Sequence, residues 1–213
     1  LQEVAFALGG QDKNDVALAV VERYDGASGE WKEVAPMTHV RSYHGMCEVL
    51  GALYVSGGLA DGDSLATVER YDIAMDTWSD VAALLSVRSR HGMCSVGGLI
   101  FVFGGDDDTC ESMSSVLKYD TNTDSWSEVA PMPEARRDFA LCLVGSDIFV
   151  FGGQDTNDNG FDTVHCYSTE TDEWSTLPPM PEARFACSAC VLGGLVYVIG
   201  GVSAGARLRS VCR

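Results

Sequence analysis

Residues 101–126 read FVFGGDDDTCESMSSVLKYDTNTDSW, and the pattern in this stretch recurs through the chain. An apolar run ends in a glycine pair, a tyrosine follows 14 or 15 residues after the first glycine, and a tryptophan follows seven residues after the tyrosine. The recurring residues are Gly9-Gly10, Gly57-Gly58, Gly104-Gly105, Gly152-Gly153 and Gly200-Gly201, then Tyr24, Tyr71, Tyr119 and Tyr167, then Trp31, Trp78, Trp126 and Trp174. A period of 47 or 48 residues is typical of stacked supersecondary units rather than of a single enzyme core.

Each period contains four short extended segments. In the second period, residues 44–50 and 53–56 are apolar runs joined by a turn, residues 66–71 are rich in β-branched side chains, and residues 77–81 alternate polar and apolar. Runs of this length, separated by Gly, Asp, Asn and Pro, predict antiparallel strands, which we name a, b, c and d in chain order. No window predicts a helix of ten or more residues, so the predicted fold class is all-β.

These recurring residues resemble the kelch repeat. The glycine pairs close the strings YVSGG, FVFGG, FVFGG and YVIGG at residues 54–58, 101–105, 149–153 and 197–201, which are close to the form of that family. The resemblance implies a β-propeller in which each repeat is one four-stranded antiparallel blade. WD repeats, the main alternative, are shorter and end in Trp-Asp, whereas the tryptophans here precede Lys or Ser.

The register of the repeats predicts an incomplete propeller. Complete blades are expected at about 37–83, 84–131 and 132–179, with partial blades at 1–36 and 180–213. The first partial blade lacks strand a, and the last one stops at the start of strand c. Since kelch propellers commonly have roughly six or seven blades, we expect the chain to be an excerpt of a longer protein that has one or two further blades.

The charge and hydropathy of the chain argue against two classes of partner. The chain has 14 basic and 31 acidic residues, a formal net charge of −17, whereas nucleic-acid binding requires a basic surface. No apolar run approaches the length of about 18–20 residues that a membrane-spanning helix needs. There is also no signal-peptide layout, so we expect a cytoplasmic protein that binds neither nucleic acid nor membranes.

The eight cysteines are expected to be free thiols. Four of them are periodic, each six residues after a recurring arginine, where they are predicted to be small buried side chains of strand a: Cys47, Cys94, Cys142 and Cys190. The other four are scattered. Cys187 and Cys190 lie within one predicted strand, and no second cysteine pair is available to complete a zinc site. Free thiols favour a reducing compartment.

No catalytic, cofactor or metal site is predicted. The sequence has no Gly-x-Ser-x-Gly, P-loop or His-Glu-x-x-His motif. His44 and His91 share a repeat position that Phe139 and Cys187 occupy elsewhere, which indicates packing rather than ligation. Residues 155–160 match the first half of an EF-hand loop, but the twelfth position holds a cysteine, so we expect a turn rich in Asn and Asp instead of a calcium site.

One end of the propeller concentrates charged loops. In an antiparallel blade, the b–c loops and the d–a crossings emerge at the same end, and we call this end the b–c rim. The b–c loops are acidic, and the crossings carry a recurring arginine. Together, residues 11–15, 59–64, 106–111 and 154–162 of the loops and 38–43, 85–90, 133–138 and 181–185 of the crossings contain 14 acidic and 7 basic residues, a net charge of −7.

The kelch resemblance implies a function for this rim. Kelch domains that serve as substrate receptors of cullin–RING ubiquitin ligases bind degrons on it, and in some an arginine of the d–a crossing contacts acidic groups of the ligand. Carried over to this chain, that role falls to Arg41, Arg88, Arg136 and Arg184. An alternative remains open, in which these recurring arginines are architectural and bond to backbone carbonyls.

Variable residues beside the recurring arginines are the better candidates for specificity. We assign Tyr43, Arg90, Asp138 and Phe185 to one variable slot, taken to lie two residues after the arginine, with four different chemistries. The complete set of candidate partner-binding residues is Arg41, Tyr43, Arg88, Arg90, Arg136, Arg137, Arg184 and Phe185.

The sequence therefore predicts a protein-interaction module without catalytic activity. The resemblance favours a substrate-recognition or scaffold domain, such as the kelch part of a cullin–RING ubiquitin ligase adaptor. Its ligand would be a protein or peptide on the b–c rim, and ligase components would be contacted through regions outside this chain. The alternative class is a propeller enzyme that processes a small molecule or a carbohydrate.

Overall fold

The structure is a computed structural model that describes residues 4–213, and its regular secondary structure is entirely β. The strands of the first two blades are β1 (Val4–Leu8), β2 (Val21–Asp25) and β3 (Glu30–Glu33), then β4 (Gly45–Val49), β5 (Ala52–Ser56), β6 (Leu59–Ala60), β7 (Asp63–Ser64), β8 (Val68–Asp72) and β9 (Thr77–Val81). The third and fourth blades contain β10 (Gly92–Val96), β11 (Leu99–Phe103), β12 (Val116–Asp120) and β13 (Ser125–Val129), then β14 (Ala140–Val144), β15 (Asp147–Phe151), β16 (Val164–Ser168) and β17 (Glu173–Leu177). The fifth blade contains β18 (Ser188–Leu192), β19 (Leu195–Ile199), β20 (Val202–Ser203), β21 (Ala206–Arg207) and β22 (Val211–Cys212).

The strands form the sheets that the repeat predicts. The second, third and fourth blades are four-stranded antiparallel sheets in chain order, namely β4-β5-β8-β9, β10-β11-β12-β13 and β14-β15-β16-β17. The first blade has strands b, c and d (β1-β2-β3), and the fifth has a, b and the start of c (β18-β19-β22). The all-β propeller prediction, with three full and two partial blades, is confirmed, and residues 4–213 contain no helix.

Each hydrophobic core lies between two neighbouring blades. Val49 and Val68 of the second blade, for example, pack against Ile100 and Tyr119 of the third. The innermost strands of successive blades lie side by side and line a central cavity of about 320 Å³, to which four blades contribute equivalent residues. Because a blade buries its apolar faces only against its neighbours, the blades depend on one another for stability.

The glycine pair lets the backbone leave strand b where two blades meet. Gly57 and Gly58 have φ angles of 58° and 96°, a region that side chains with a Cβ rarely adopt. A Cβ atom at Gly57 would also collide with the carbonyl oxygen of Arg88 in the next blade. The other glycine pairs also have positive φ angles, so the predicted position of each pair after the second strand is confirmed.

A repeated clasp links the c–d turn of one blade to the preceding blade. In the third blade, the hydroxyl of Tyr119 donates to Asp124 at 2.7 Å, and the same carboxylate oxygen accepts the backbone N–H of Ala82 at 2.8 Å. The indole N–H of Trp126 donates to the carbonyl of Ala82 at 2.8 Å. The second and fourth blades repeat these contacts with Tyr71, Asp76 and Trp78 and with Tyr167, Asp172 and Trp174. In these three blades, tyrosine and tryptophan are therefore inter-blade packing residues with bonded polar tips.

Candidate partner-binding rim

Backbone hydrogen bonds join the d–a crossings to the b–c loops along the b–c rim. In each of the last four blades, the residue after the recurring arginine forms an antiparallel bridge with its own b–c loop: Ser42 with Leu59, Ser89 with Asp106, Arg137 with Gln154 and Phe185 with Val202. The backbone N–H and carbonyl groups of each pair bond to each other at 2.7–3.1 Å. The d–a crossings and the b–c loops therefore share one surface, as the antiparallel topology requires.

Two kinds of turn shape the b–c loops. In the first, third and fourth blades, an aspartate at the start of the loop accepts backbone N–H groups two and four residues later; these residues are Asp12, Asp107 and Asp155. Hydrogen bonds lower the pKa of all three carboxyl groups. The largest contribution comes from a backbone N–H for Asp12 and from the side chains of Thr109 and Asn159 for Asp107 and Asp155. The loop that resembles an EF-hand is therefore accounted for as an Asp-based turn. In the second and fifth blades, Asp61-Gly62 and Ala204-Gly205 have positive φ angles and close the short hairpins β6-β7 and β20-β21.

The four recurring arginines lie inside the blades. Arg41, Arg88 and Arg136 are 0% exposed and Arg184 is 1% exposed. Each donates from Nη1 to the carbonyl of the first glycine of its own blade: Gly57, Gly104, Gly152 and Gly200, at 2.6–3.1 Å. This position favours the architectural interpretation. A partner on the rim could reach these guanidinium groups only if the blades opened, so we exclude the four arginines from the candidate contact surface.

The pair formed by Arg41 and Glu69 is the most completely buried ion pair of the described residues. Both side chains are 0% exposed, and Arg41 Nη2 lies 2.6 Å from Glu69 Oε2. Burial alone would raise the pKa of Glu69, but the hydrogen bonds from Arg41 and from the backbone N–H of Thr38 outweigh it, so the pKa lies below its usual value. Burial lowers the pKa of Arg41, against the opposing effect of Glu69.

One group of potential metal ligands occurs among residues 4–213. His39, Glu69 and Asp80 each place one ligand atom within 4.8 Å of the others. Both oxygens of Glu69 already accept hydrogen bonds, from Thr38 and from Arg41. The adjacent guanidinium would also repel a cation. The arrangement therefore fits a buried ion pair with a neighbouring histidine better than a metal centre.

The variable slot needs one correction. The residues two positions after the recurring arginine are Tyr43, Arg90, Asp138 and Ala186, and all four have φ angles of 49–53°. Phe185 was assigned to this slot, but it lies one residue earlier and is equivalent to Ser42, Ser89 and Arg137. Backbone bonds connect the true slot residues of successive blades, from Arg90 N–H to Tyr43, from Asp138 N–H to Arg90 and from Ala186 N–H to Asp138. These residues therefore form an inner row on the rim.

A network of charged side chains joins the third and fourth blades at the rim. Asp106, which is 1% exposed, accepts bonds from Arg90 at 2.8 Å and from Arg137 at 3.2 Å. Arg137 also donates to Asp158 at 2.6 Å. The guanidinium of Arg90 lies over the ring of Tyr43, 4.9 Å from its centroid. Of the predicted contact residues, Tyr43, Arg90 and Phe185 are at least partly exposed. Arg137 is buried and bonds to Asp106 and Asp158 of the chain itself.

Burial separates the two signs of charge on the rim. Of the seven basic residues of the rim segments, five are buried, Arg90 is partly exposed and only Lys13 is fully exposed. Of the fourteen acidic residues, only Asp106 is buried. In these segments the exposed charged groups are therefore mostly carboxylates, which their sequence composition does not reveal. The b–c loop of the fifth blade adds two exposed arginines, Arg207 and Arg209.

The histidines and cysteines are mostly packing residues. His91 is 8% exposed and lies 2.9 Å from the hydroxyl of the fully buried Ser56. Burial lowers the pKa of His44 to about 4 and holds that of His91 well below its usual value. All eight cysteines are unpaired, and burial raises the pKa of Cys94 to about 12 and of Cys142 to about 11. The exposed Cys110 belongs to an acidic b–c loop.

The fold and the rim define a kelch-type propeller. A family model described as the KLHDC2/KLHL20/DRC7 Kelch-repeats domain matches residues 3–132 and 90–212. These matches span almost the whole chain, which therefore belongs to this kelch-repeat family. Kelch propellers generally bind proteins, so membership indicates a protein-interaction module.

A solved structure has the same fold. The one described as "Structure of YjhT" matches with a TM-score of 0.80 and 17% sequence identity, over 92% of this chain and 72% of that chain. At this level of identity, the similarity concerns the fold alone. A search of curated proteins found no match to the chain. Among residues 4–213, no helix has the length and apolar character that crossing a bilayer requires.

Proposed function

We propose that this propeller is the substrate-recognition or scaffold domain of a larger assembly and binds a protein segment on its b–c rim. The observation that carries the proposal is the separation of charge on the rim of the first four blades, where the recurring arginines and Arg137 are buried and most carboxylates are exposed. The exposed Arg207 and Arg209 are confined to the b–c loop of the fifth blade. A surface of one sign favours a partner of the opposite sign and accelerates its encounter at low salt. The partner segment is therefore basic.

A role within a cullin–RING ubiquitin ligase is the finer form of this proposal. The kelch family supports it, since such domains present degrons to the ligase. Contacts with the ligase components belong to segments outside residues 1–213. The unpaired thiols and the negative charge support a cytoplasmic protein that does not bind nucleic acid.

We also propose that the domain is not itself catalytic. Ser56 and His91 come closest to a nucleophile and its base, but Ser56 is fully buried and cannot meet a substrate. Burial also holds the pKa of His91 well below its usual value. Covalent catalysis would need an accessible nucleophile beside an oriented base.

The proposed rim is tested by comparing two variants of equal charge. The rim variant carries Asp63→Asn, Asp108→Asn and Asp162→Asn, which neutralise exposed carboxylates that make no described side-chain bond. The control carries Glu30→Gln, Glu170→Gln and Glu173→Gln, all at the opposite end of the blades. The immobilised proteins are used to capture partners from a cell lysate at low and at moderate salt.

We expect the rim variant to lose at least about 80% of a partner that the wild type and the control retain, and we expect salt to weaken capture. Unchanged melting temperatures would show that all three proteins fold. Loss of the partner by the control and not by the rim variant would place the binding surface at the other end of the propeller.

A further inference from the structure

Two clefts of the b–c rim are the same structural site, three blades apart. The first cleft lies between the b–c loops of the first and second blades, and the other between those of the fourth and fifth. Adding 143 to the residue numbers of the first cleft gives those of the other: Asp15, Val16, Ala17, Ser42, Leu59 and Asp61 correspond to Asp158, Asn159, Gly160, Phe185, Val202 and Ala204. In each cleft, one wall is an Asp-based turn and the other is a tight hairpin turn.

The first cleft combines two carboxylates with an apolar floor. Asp15 lies on the wall from the first blade and Asp61 on the wall from the second, and the volume between them is about 260 Å³. Both residues are exposed, and neither carboxylate takes part in a side-chain hydrogen bond or ion pair among residues 4–213. Ala17 and Leu59 supply buried and half-buried apolar surface. A long cationic side chain, with its methylene stem on this floor and its charged end at the carboxylates, fits this chemistry.

The chain itself fills the corresponding cleft between the third and fourth blades with an arginine. Arg137 occupies the position of Ser42 and reaches between the two loops. It donates to Asp106 at 3.2 Å, to the carbonyl of Cys110 at 3.4 Å and to Asp158 at 2.6 Å. In the first cleft the small Ser42 stands at this position, and the exposed Asp15 and Asp61 are among the residues that line the cleft.

The cleft between the fourth and fifth blades has a different character. Its aspartate, Asp158, is already neutralised by Arg137, and Ala204 replaces the second carboxylate. Phe185 stands where the first cleft has Ser42, and the volume is about 690 Å³. This cleft is therefore wide and largely uncharged. Since its lining positions are equivalent to those of the first cleft, it serves as a comparison site without the two carboxylates.

We propose that the first cleft receives one lysine or arginine side chain of the basic partner segment. This proposal rests on the proposed function and names the contact that gives the rim its preference for a basic partner. The two carboxylates form ion pairs with the cation, and the apolar floor covers its stem. An uncharged side chain of the same length would leave both carboxylates unpaired.

The test uses short peptides as probes of the isolated contact. Acetyl-Ala-Lys-Ala-amide and acetyl-Ala-Arg-Ala-amide are titrated into the isotope-labelled full chain, with acetyl-Ala-norleucine-Ala-amide as the uncharged control. We expect saturable shifts of the backbone amides of Asp15, Val16, Leu59 and Asp61 with both cationic peptides and at least tenfold weaker binding of the norleucine peptide. Equal binding of the norleucine peptide, or shifts confined to Phe185 and Val202, would overturn the proposal.

A pair of variants assigns the effect to the two carboxylates. Asp15→Asn with Asp61→Asn should weaken binding of the cationic peptides at least tenfold, and asparagine tolerates the positive φ angles of 62° and 52° at these positions, so the fold is preserved. The control, Glu170→Gln with Glu173→Gln at the opposite end of the blades, removes the same number of charges and should bind the peptides with unchanged affinity. Unchanged affinity of the cleft variant would contradict the proposal.

The outcomes separate this proposal from the proposed function. If the peptides fail to bind the cleft while the rim variant still loses its partner, the rim function stands and the cleft assignment is wrong. If the cationic peptides bind the cleft but protein capture does not depend on the rim, the cleft is a cation site and the proposed function is wrong.

Discussion

Replacing Arg41 by methionine is expected to lower the free energy of unfolding by about 3–5 kcal/mol. The substitution leaves the carboxylate of Glu69 buried without its partner, and the carbonyl of Gly57 loses a donor at 2.6 Å. Removing one member of a buried ion pair is costly because the remaining charge stays desolvated. Urea denaturation at pH 7 measures the effect.

A double variant tests whether the uncompensated charge causes the loss. Leu117 occupies the position of Glu69 in the third blade, so the fold already accepts leucine there. Arg41→Met combined with Glu69→Leu should therefore recover more than half of the stability that Arg41→Met loses. If the double variant is as unstable as the single one, the buried carboxylate is not the cause, and the glycine carbonyl carries the larger effect.

The pH dependence of the Arg41→Met variant has a defined sign. In the wild type the pKa of Glu69 is lowered, so the stability from this pair is fully present above the ordinary value of 4.5 and is lost only as the pH falls through the lowered pKa. Without Arg41, burial dominates and raises the pKa of Glu69. The deficit of the variant should therefore grow as the pH rises from 5 to 7.5, and a deficit independent of pH would contradict this account.

The second large effect is expected at the inter-blade clasp. Asp124→Gly should lower the free energy of unfolding by about 1–3 kcal/mol, because the buried hydroxyl of Tyr119 and the backbone N–H of Ala82 lose their shared acceptor. Glycine introduces no strain at the positive φ of 49°, and Gly29 stands at this position in the first blade. Thermal and urea denaturation measure the change.

Asparagine provides the matched control for the clasp. Asp124→Asn keeps an acceptor oxygen and tolerates the same backbone conformation, so it should retain most of the stability that Asp124→Gly loses. Equal losses in the two variants would show that the negative charge matters rather than the acceptor. If neither variant loses stability, the clasp does not contribute to the stability of the contact between blades.

Much of the fold could be predicted from the sequence because its determinants are local. The strands predicted at 44–50, 53–56, 66–71 and 77–81 are found at Gly45–Val49, Ala52–Ser56, Val68–Asp72 and Thr77–Val81. Apolar runs, turn residues and glycines with positive φ act within a few residues of one another. The aspartate of the clasp was missed, although its signal was present: Asp76, Asp124 and Asp172 each follow the recurring tyrosine by five residues.

The candidate site was less predictable because it depends on burial and on contacts between blades. The sequence places an arginine in each d–a crossing, but it does not show where the side chain points. In the structure the guanidinium donates to a glycine carbonyl inside the blade, as Arg88 does to Gly104. The equivalence of Ala186, rather than Phe185, with Tyr43, Arg90 and Asp138 follows from counting two residues from each arginine, and the backbone bridges agree with it. The paired clefts become visible only when loops 143 residues apart are compared in space.

Site-specific photo-cross-linking locates the partner, which we propose to lie on the b–c rim. Tyr43 is 46% exposed on the rim, and Met75 is 72% exposed in a c–d turn at the opposite end of the blades. The photoreactive residue p-benzoylphenylalanine is placed at one or the other position in the full chain, and the proteins are irradiated with the captured partner. We expect a cross-linked product from position 43 and none from position 75. Cross-linking from position 75 without any from position 43 would contradict the proposal.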